Sequence, residues 1–320
     1  MTEPSDLARF LETAGYDNWS LNWLAGDASS RRYARLTGPR GATVILMAAG
    51  PDAPTQVPPF LRIGTHLMDI GLCAPKVLAL EKSNRFLLLE DLGNDDIAMW
   101  LFHRPENESR LYSTAIDVLL AVSQHAPPKG LSALSPEVAG VMIDPLFEWY
   151  LPQVPEALRR EVRAALQTSF AALSGEPTCL ALRDFHAQNL IWRPQKAGTD
   201  RIGILDFQDA FLAAPEYDLV SLLRDARRDV SPDVCTEMIR RFAAGSGKTV
   251  DQVTSACAAL GVQRNLRILG IFARLAQRDG KVHYRTLMPR VIRHLRMDLS
   301  HPELGDLSRI MSPWLQDGAI

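Results

Sequence analysis

The sequence predicts an α+β protein in two parts, and three observations support this prediction. Residues 1–93 contain short apolar runs separated by turns with glycine and proline, which predict five strands and one helix beyond the N-terminal segment. From residue 94 onward the apolar side chains recur mostly at helical spacing. A hairpin pattern at Leu190–Leu205 interrupts this helical part. We therefore expect a small β-rich lobe at residues 1–93 and a larger helical lobe at residues 94–320.

Each element of the first part has a local signal. Ser5 can cap an N-terminal helix, and Gly15 stops it. Pro58 and Pro59 open a second helix whose apolar face lies within residues 60–70. The strands are expected where apolar and β-branched residues cluster between turns, at Trp19–Trp23, Tyr33–Thr37, Thr43–Met47, Lys76–Leu80 and Phe86–Glu90.

In the second part, prolines and glycines separate amphipathic segments. Pro215 opens a helix that runs through Arg228, and the arginines at 290, 293 and 296 are interpreted as a solvated helix face. The other helices are expected at Ser109–Gln124, Pro136–Leu151 and Pro155–Leu173.

Residues 243–249 end like a phosphate-binding loop, but the motif is incomplete. Phe242 stands where the motif needs a glycine, and a helical pattern precedes it where a strand is required. We interpret Gly247 as a helix stop, with Thr249 and Gln252 forming the capping box of the next helix.

The composition argues against several classes of function and location. The 320 residues have a formal net charge of -2 and are 47% hydrophobic, so no charge excess indicates nucleic acid or an anionic membrane as a partner. The four cysteines lie far apart without the paired spacing of a metal site, which indicates reduced thiols in a cytoplasmic protein. The N-terminus is polar, unlike a signal peptide, and no apolar run approaches the ~20 residues of a membrane span.

Two acidic motifs flank the hairpin. Asp184 precedes it and is followed five residues later by Asn189, and Asp206 directly follows it. Because a hairpin returns the chain, we expect these three side chains around one small volume. Two carboxylates and a carboxamide are oxygen ligands of the kind that Mg²⁺ requires. Any one of these residues alone is explained as well by a turn, a cap or a strand end, and the ordered combination favours an active site.

The two motifs resemble those of the protein-kinase superfamily. Arg183-Asp184 with Asn189 is similar to its catalytic loop, and Leu205-Asp206-Phe207 to its metal-binding motif. The form found here is closer to small-molecule kinases of the aminoglycoside phosphotransferase type. The resemblance implies a bilobal protein-kinase-like fold, with a small five-stranded antiparallel N-lobe carrying one helix and a larger, mainly helical C-lobe.

The same resemblance implies ATP and Mg²⁺ as cofactors, with ATP between the lobes. Asn189 and Asp206 would be the metal ligands. Asp184 would be the catalytic residue that orients the acceptor hydroxyl and takes its proton late. A buried aspartate at about the position of Asp218 would steady the catalytic loop.

The resemblance also implies a nucleotide-binding set in the first part. The loop between the first two strands, Gly26 to Arg32, has hydroxyls, free N–H groups and arginines that suit phosphate, although an ordinary hairpin loop explains it equally well. The segment after the fifth strand resembles the hinge that meets adenine, although a core strand running into a turn is compatible with the same residues. The expected nucleotide-binding residues are Ser29, Ser30, Arg31, Arg32, Glu90 and Leu92.

Three departures from the kinase pattern stand out. Leu182 replaces the histidine before Arg-Asp, the third strand has no lysine to contact the phosphates, and the helix at residues 59–70 has no glutamate to pair with such a lysine. We hypothesise that Arg31 or Arg32 supplies the missing positive charge.

Candidate substrate residues lie mostly in the second part. Trp149 lies in an aromatic run that can pack on a sugar ring, although aromatic residues at helical spacing are more often core. The charged residues after the metal motif can reach a polar or anionic substrate, although a solvated face explains them equally well. The predicted substrate-binding residues are Arg183, Asp209, Trp149, Arg224, Asp225 and Arg227.

Over roughly residues 20 to 285, the combined motifs resemble the anomeric N-acetylmuramate/N-acetylglucosamine kinase family. The resemblance implies transfer of the ATP γ-phosphoryl group to the C1 hydroxyl of a free amino sugar, in peptidoglycan recycling, by a protein for which we favour a monomer. Two alternatives stay open: a kinase for an aminoglycoside or amino alcohol, and a catalytically silent nucleotide-binding scaffold.

Overall fold

The computed structural model describes residues 4–24, 31–50, 53–83, 85–173, 175 and 178–315. These residues form two compact units. The first takes the described residues up to 97 together with 189–209, and the second takes 98–188 together with those from 210 onward. The hairpin segment thus groups with the first unit, whereas the expected lobe boundary at residues 93 and 94 stays a prediction about functional lobes.

The first unit is built on a sheet that confirms the predicted strands. Within the described residues the sheet has five strands, all paired antiparallel, in the order β1-β2-β3-β5-β4. Their bounds are β1 Ser20–Trp23, β2 Arg32–Thr37, β3 Thr43–Ala48, β4 Val77–Leu80 and β5 Phe86–Glu90. The alternation of inward and outward side chains gives the sheet one face on which Leu36, Leu46 and Leu88 are fully buried.

Two helices accompany this sheet, and both begin earlier than the sequence predicted. Helix α1 spans Pro4–Ala14 and places Phe10 and Leu11 in the cluster on the sheet face. Ser5 lies inside it and is not its cap. Helix α2 spans Ala53–Asp69, so Pro58 and Pro59 fall in its second turn. The proline pair was misleading because proline is typical of the first turn, where its missing N–H removes no hydrogen bond.

Four short strands flank the two motifs along the chain: β6 Cys179–Ala181, β7 Leu190–Trp192, β8 Ile202–Ile204 and β9 Phe211–Ala213. In the first unit, β7 and β8 form the predicted antiparallel hairpin. In the second unit, β6 pairs with β9 in antiparallel register. Each motif therefore directly follows or precedes a paired strand, which fixes the backbone at that point.

The second unit is mainly helical, as predicted. Its core is a cluster of buried aliphatic and aromatic side chains, including Phe147, Leu266 and Leu295. The helices are α3 Ile97–His103, α4 Glu108–Ser123, α5 Pro136–Val141, α6 Glu156–Leu173, α7 Tyr217–Leu223, α8 Pro232–Ser246, α9 Val250–Gln277, α10 Met288–Leu299 and α11 Gly305–Met311.

The long helix α9 organises this core. A π-helical turn at Leu146–Tyr150 lies against it, and a Cβ atom at Gly270 would come within 2.2 Å of the backbone of Pro145 and Leu146. Glycine is therefore required for this close approach. Helix α9 also carries buried polar residues such as Gln263 and Asn265, and none of the described helices is long and apolar enough to cross a membrane.

Two predicted helix boundaries are wrong. Helix α7 ends at Leu223 and does not run through Arg228, because Asp225 turns inward and bonds the backbone N–H of Arg227. The segment expected as one helix at Pro136–Leu151 divides into α5 and the π-helical turn. The arginines of α10 lie on an outward face, as expected: Arg293 and Arg296 are exposed and Arg290 is half-buried. Arg290 and Arg293 bond the exposed Asp229, and Arg296 donates to the Leu315 carbonyl.

The incomplete phosphate-loop motif has the structure that its sequence predicts. Gly247 ends α8 with φ 70°, in the left-handed region that favours glycine. Thr249 and Gln252 form a complete capping box at the start of α9. Residues 243–249 are therefore a helix-to-helix connection.

Candidate active site

The metal-binding motif lies at the open end of the hairpin in the first unit. The backbone N–H of Leu205 donates to the carbonyl of Asn189 at 2.9 Å, which extends the β7–β8 ladder by one pair. Asp206 follows directly, with φ 55°, a left-handed conformation that is uncommon for a residue with a side chain. The hairpin therefore brings Asn189 and Asp206 to the same end of one rigid element, as the sequence predicted.

The Asp206 carboxylate is held through one of its two oxygens. Oδ1 accepts a hydrogen bond from Arg31 Nη2 at 3.1 Å and another from Gln208 Nε2 at 2.9 Å. The Asp206 side chain is 43% exposed, whereas that of Arg31 is only 7% exposed. A carboxylate fixed by two donors, yet open to solvent, is suited to hold a cation in a defined direction.

The structure distinguishes Arg31 from Arg32, the two residues that we expected to replace the positive charge of the missing β3 lysine. Arg31 bonds the metal motif, but the guanidinium carbon of Arg32 lies 4.0 Å from the centre of the Trp23 ring. Arg32 is exposed and makes a cation–π contact with Trp23 of the edge strand β1. Ser29 and Ser30, which were also predicted to bind nucleotide, lie outside the described residues.

Gln208 is a site residue that the sequence reasoning missed. Its side-chain amide also donates to Asp209 Oδ2 at 3.3 Å, so one buried NH₂ group joins two neighbouring carboxylates. Phe207 anchors the same turn by stacking on Phe60 of α2 at a ring distance of 5.0 Å. The available signal was an amide placed between two acids, where a kinase motif has glycine.

The predicted hinge is fixed by Arg35, another residue that was missed. Arg35 Nε donates to Asp91 Oδ2 at 2.6 Å and Nη2 donates to Oδ1 at 3.1 Å, a bidentate pair. Asp91 Oδ1 also accepts the backbone N–H of Gly93 at 3.0 Å, and the N–H of Glu90 bonds the Lys76 carbonyl. The backbone from Glu90 to Gly93, with Leu92, is therefore held from both sides.

The catalytic loop in the second unit is anchored by Asp218, in the role that the resemblance implied. The buried Asp218 carboxylate accepts the backbone N–H groups of Leu182 at 2.5 Å and Arg183 at 3.0 Å. Burial raises the pKa of Asp218 to about 7, although both N–H groups and Arg264 oppose that shift. Arg183 takes a left-handed φ of 74°, and its carbonyl accepts from Arg264 Nη1 at 2.8 Å.

Asp184, the predicted catalytic residue, directly follows this anchored pair. Its side chain is 37% exposed, and Oδ1 lies 3.8 Å from Nη2 of the buried Arg264. The backbone N–H of His186 bonds the Asp184 carbonyl at 3.0 Å. A partly exposed carboxylate on a fixed loop can accept a hydrogen bond from a bound hydroxyl group.

The predicted substrate residues of the second unit divide into two kinds. Arg224 donates to the buried Asp298 at 3.0 Å, so its guanidinium is engaged in an internal ion pair. Trp149 packs against the core. Asp225 and Arg227 lie near the catalytic loop, since Arg227 Nη1 is 3.4 Å from Nε2 of His186. Asp209 is exposed in the first unit, and substrate binding by all of these residues stays a prediction.

The described residues offer few protein ligands for a metal ion. Within the described part of the chain, no three His, Cys, Asp or Glu side chains cluster in a way that could hold a metal ion. Asp206 and Asn189 offer a carboxylate and a carboxamide, and Mg²⁺ is commonly held by one or two such groups with phosphate oxygens and water completing its shell. These residues therefore fit a Mg²⁺ ion that arrives with a nucleotide.

Comparisons with known proteins agree with this arrangement. The model of the phosphotransferase enzyme family (APH) matches residues 21–260. An N-acetylmuramate/N-acetylglucosamine kinase of Caulobacter vibrioides is 34% identical, over 94% of this chain and 93% of the relative. A kinase of the same name from Neisseria meningitidis serogroup B is 32% identical, over 92% of this chain and 90% of the relative.

A solved structure supports the fold. The ADP-bound aminoglycoside phosphotransferase APH(2'')-Ib superposes with a TM-score of 0.62, covering 92% of this chain and 97% of that one, at 13% identity. Identity this low shows the fold alone, which is the predicted protein-kinase-like architecture. With its family match and its full-length relatives, the chain belongs to the phosphotransferase enzyme family, together with the N-acetylmuramate/N-acetylglucosamine kinases that it resembles.

Proposed function

We propose that this chain transfers the γ-phosphoryl group of ATP to the anomeric C1 hydroxyl of N-acetylmuramate or N-acetylglucosamine, giving a sugar 1-phosphate for peptidoglycan recycling. The names of the relatives support the choice of substrate. The observation that carries the chemistry is the Asp184 carboxylate, partly exposed on a loop that Asp218 and Arg264 hold rigid. Phosphoryl transfer asks the protein chiefly for positioning and charge neutralisation, which such a loop supplies.

In this mechanism Asp184 accepts a hydrogen bond from the acceptor hydroxyl. This bond directs an oxygen lone pair toward the phosphorus atom, and the proton passes to the carboxylate late in the transfer. Asp218 acts on the same step indirectly, because its carboxylate fixes the two peptide N–H groups before Asp184. Fixed geometry lowers the entropic cost of bringing the hydroxyl into line.

Asn189 and Asp206 are the proposed ligands of the Mg²⁺ ion that accompanies ATP. When bound, this ion neutralises the charge that develops on the phosphate oxygens. Arg31 adds a second positive charge that stays beside Asp206, and Gln208 orients the same carboxylate. We assign to Arg31 the charge that the lysine-less β3 strand does not provide.

The remaining proposals concern the nucleotide base, the location and the assembly. The backbone between Glu90 and Leu92, held by the Arg35–Asp91 pair, would bond adenine. All four cysteines are free thiols, which agrees with the predicted cytoplasmic location. A monomer that acts on a small-molecule amino sugar stays our prediction for the working form.

The direct test is ³¹P NMR of the protein with Mg·ATP and one sugar at a time. We expect a sugar 1-phosphate signal with N-acetylmuramate or N-acetylglucosamine. Asp184→Asn should lower kcat by at least about 100-fold while KM for ATP changes by less than about twofold. Asp200→Asn, an exposed acid in the hairpin loop, is the matched control and should behave like the wild type.

Near-normal turnover by Asp184→Asn would remove that residue from the mechanism. No phosphate ester with either N-acetyl sugar would overturn the substrate assignment, and aminoglycosides would be the next acceptors to try. ATP binding without turnover on any acceptor would instead favour the nucleotide-binding scaffold.

A further inference from the structure

Three arginines surround the catalytic loop of the second unit. Arg264 is buried, with Nη1 2.8 Å from the carbonyl oxygen of Arg183 and Nη2 3.8 Å from Asp184 Oδ1. Arg267 follows Arg264 by three residues on α9 and therefore lies on the same helix face. Arg183 itself precedes Asp184 on the loop. Three guanidinium groups thus accompany the carboxylate that the proposed mechanism assigns to the acceptor hydroxyl.

Within the described residues, the guanidinium groups of two of these arginines have no hydrogen-bonding or ion-pair partner. Among the residues described by the structure, the guanidinium groups of Arg183 and Arg267 take part in no hydrogen bond or ion pair, and the Nε atoms of Arg183 and Arg264 are buried without an acceptor. By contrast, Arg224 and Arg228, which are also partly buried in this unit, form ion pairs with Asp298 and Glu108. A buried donor without an acceptor is costly, so this cluster is incomplete by itself.

The cluster formed by these three arginines and Asp184 carries a net positive charge. Burial, and the neighbouring Arg183 and Arg264 groups, lower the pKa of Arg267 to about 10, with Tyr217 and Asp184 opposing the shift. Asp218 is the other carboxylate that acts on Arg264, and burial raises its pKa to about 7, so it is partly protonated near neutral pH. An anion bound here would offset the unmatched charge.

We propose that Arg183 and Arg267, together with Arg264, form a subsite for a carboxylate of the acceptor, and that Arg267 determines the preference for N-acetylmuramate over N-acetylglucosamine. This inference rests on the proposed function, because it needs the acceptor to lie beside Asp184. N-Acetylmuramate carries a lactyl carboxylate on O3, where N-acetylglucosamine has only a hydroxyl. C1 and C3 of the ring are separated by a single carbon, so the carboxylate is held near the reacting hydroxyl.

The chemistry of the cluster favours this anion. Guanidinium groups present their N–H donors in a planar fork that matches a carboxylate, and charge-assisted bonds of this kind are stronger than neutral ones. A cationic acceptor, such as an aminoglycoside, would be repelled by the same groups. The transferred phosphoryl group is the other anion that could occupy the cluster, but it is common to all acceptors, so a comparison of acceptors separates the two.

The experiment measures kcat/KM for three acceptors: N-acetylmuramate, the methyl ester of its lactyl carboxyl group, and N-acetylglucosamine. The ester retains the bulk of the lactyl group and removes its charge. Wild-type protein should prefer the acid to the ester. Arg267→Met, which retains the apolar stem, should lower kcat/KM for the acid by about 10- to 100-fold, the effect of losing a charge-assisted hydrogen bond. The ester and N-acetylglucosamine should change by less than about threefold.

Arg267→Lys tests whether the fork or only the charge is needed, and we expect an intermediate loss for the acid. Arg293→Met is the control, because Arg293 lies on an exposed face of α10 and pairs with the exposed Asp229. Melting temperatures of all variants confirm that they are folded. Because the described residues give Arg267 no hydrogen bond or ion pair and the neighbouring arginines repel its charge, Arg267→Met should not lower the melting temperature.

The inference fails if Arg267→Met lowers kcat/KM for all three acceptors by the same factor, which would assign the cluster to the phosphoryl group, or if the acid is unaffected. It also fails if the wild type does not distinguish the acid from its ester. These outcomes differ from failure of the proposed function, in which the wild-type protein phosphorylates none of the three sugars.

Discussion

Nη2 of Arg31 donates a hydrogen bond to Oδ1 of Asp206 at 3.1 Å, between residues separated by 175 positions in the chain. The guanidinium is almost fully buried, so solvent screens its charge only weakly. In the first unit this contact joins the residue before β2 to the turn after β8. It explains how a chain whose β3 strand lacks a lysine can still place a permanent positive charge beside its metal motif.

We expect Arg31→Met to raise KM for ATP by about tenfold or more, because a buried charge-assisted hydrogen bond contributes about 1.5–3 kcal/mol. Arg32→Met is the matched control: Arg32 is the neighbouring residue and stacks on Trp23, so its KM for ATP should stay within about twofold of the wild type. Steady-state kinetics at saturating acceptor measure both. Equal effects of the two substitutions would contradict a special role for Arg31.

Gln208→Met should weaken the binding of Mg²⁺ by about tenfold, since groups that orient a metal ligand typically contribute 10- to 100-fold to affinity. The substitution removes the donor that joins Asp206 to Asp209 and retains an apolar side chain of similar length. Titrating activity with Mg²⁺ at constant free ATP gives the apparent affinity. Gln195→Met, in the exposed hairpin loop, should titrate like the wild type. An unchanged Mg²⁺ titration of Gln208→Met would argue against this positioning role.

Arg35→Lys should raise KM for ATP by several-fold, on the order of the 1 kcal/mol that a lost hydrogen bond contributes, with KM for the sugar unchanged. Lysine keeps the charge but cannot make the bidentate bond to Asp91 that fixes the backbone at Glu90 and Leu92. Arg40→Lys, at an exposed turn, is the control. Parallel changes in both Michaelis constants would indicate general destabilisation and not a nucleotide-specific effect.

Stability should fall with rising pH through the titration of Asp218. Burial raises the pKa of this acid to about 7, so between about pH 4 and 7 the folded chain binds a proton that the unfolded chain has lost. The contribution is fully present below the unfolded pKa, near 4, and is lost as the pH rises through 7. One pKa unit corresponds to about 1.4 kcal/mol, so the change amounts to a few kcal/mol.

Melting temperatures of the wild type and of Asp218→Asn between pH 4.5 and 8 measure this effect. The difference between the two proteins should shift in favour of the variant as the pH rises, because asparagine does not titrate. A difference that is independent of pH would mean that Asp218 has an ordinary pKa, with its hydrogen bonds to Leu182 and Arg183 outweighing burial.

Local patterns were sufficient wherever the physical cause is local. Strand alternation predicted the five strands and the β7–β8 hairpin, and Gly247 with Thr249 predicted a helix stop and a cap in place of a phosphate loop. Local patterns failed where inward-facing contacts override propensity. Helix α7 ends early because Asp225 bonds the N–H of Arg227. Whether this bond forms depends on the tertiary surroundings of the Asp225 carboxylate.

The sequence by itself determined the identity and order of the acidic motifs, because Asp184, Asn189 and Asp206 keep a fixed spacing around a short hairpin. Only the tertiary structure decided which side chains contact these motifs. Arg31 contacts Asp206 of the metal-binding motif, whereas Arg32 stacks on Trp23. Arg224 forms an internal ion pair with Asp298. Arg264, which lies 3.8 Å from Asp184, and Arg267 belong to helix α9, which carries no recognisable motif. Charge pairing depends on distances across the fold, and residues many positions apart in the chain leave no local pattern from which such distances can be inferred.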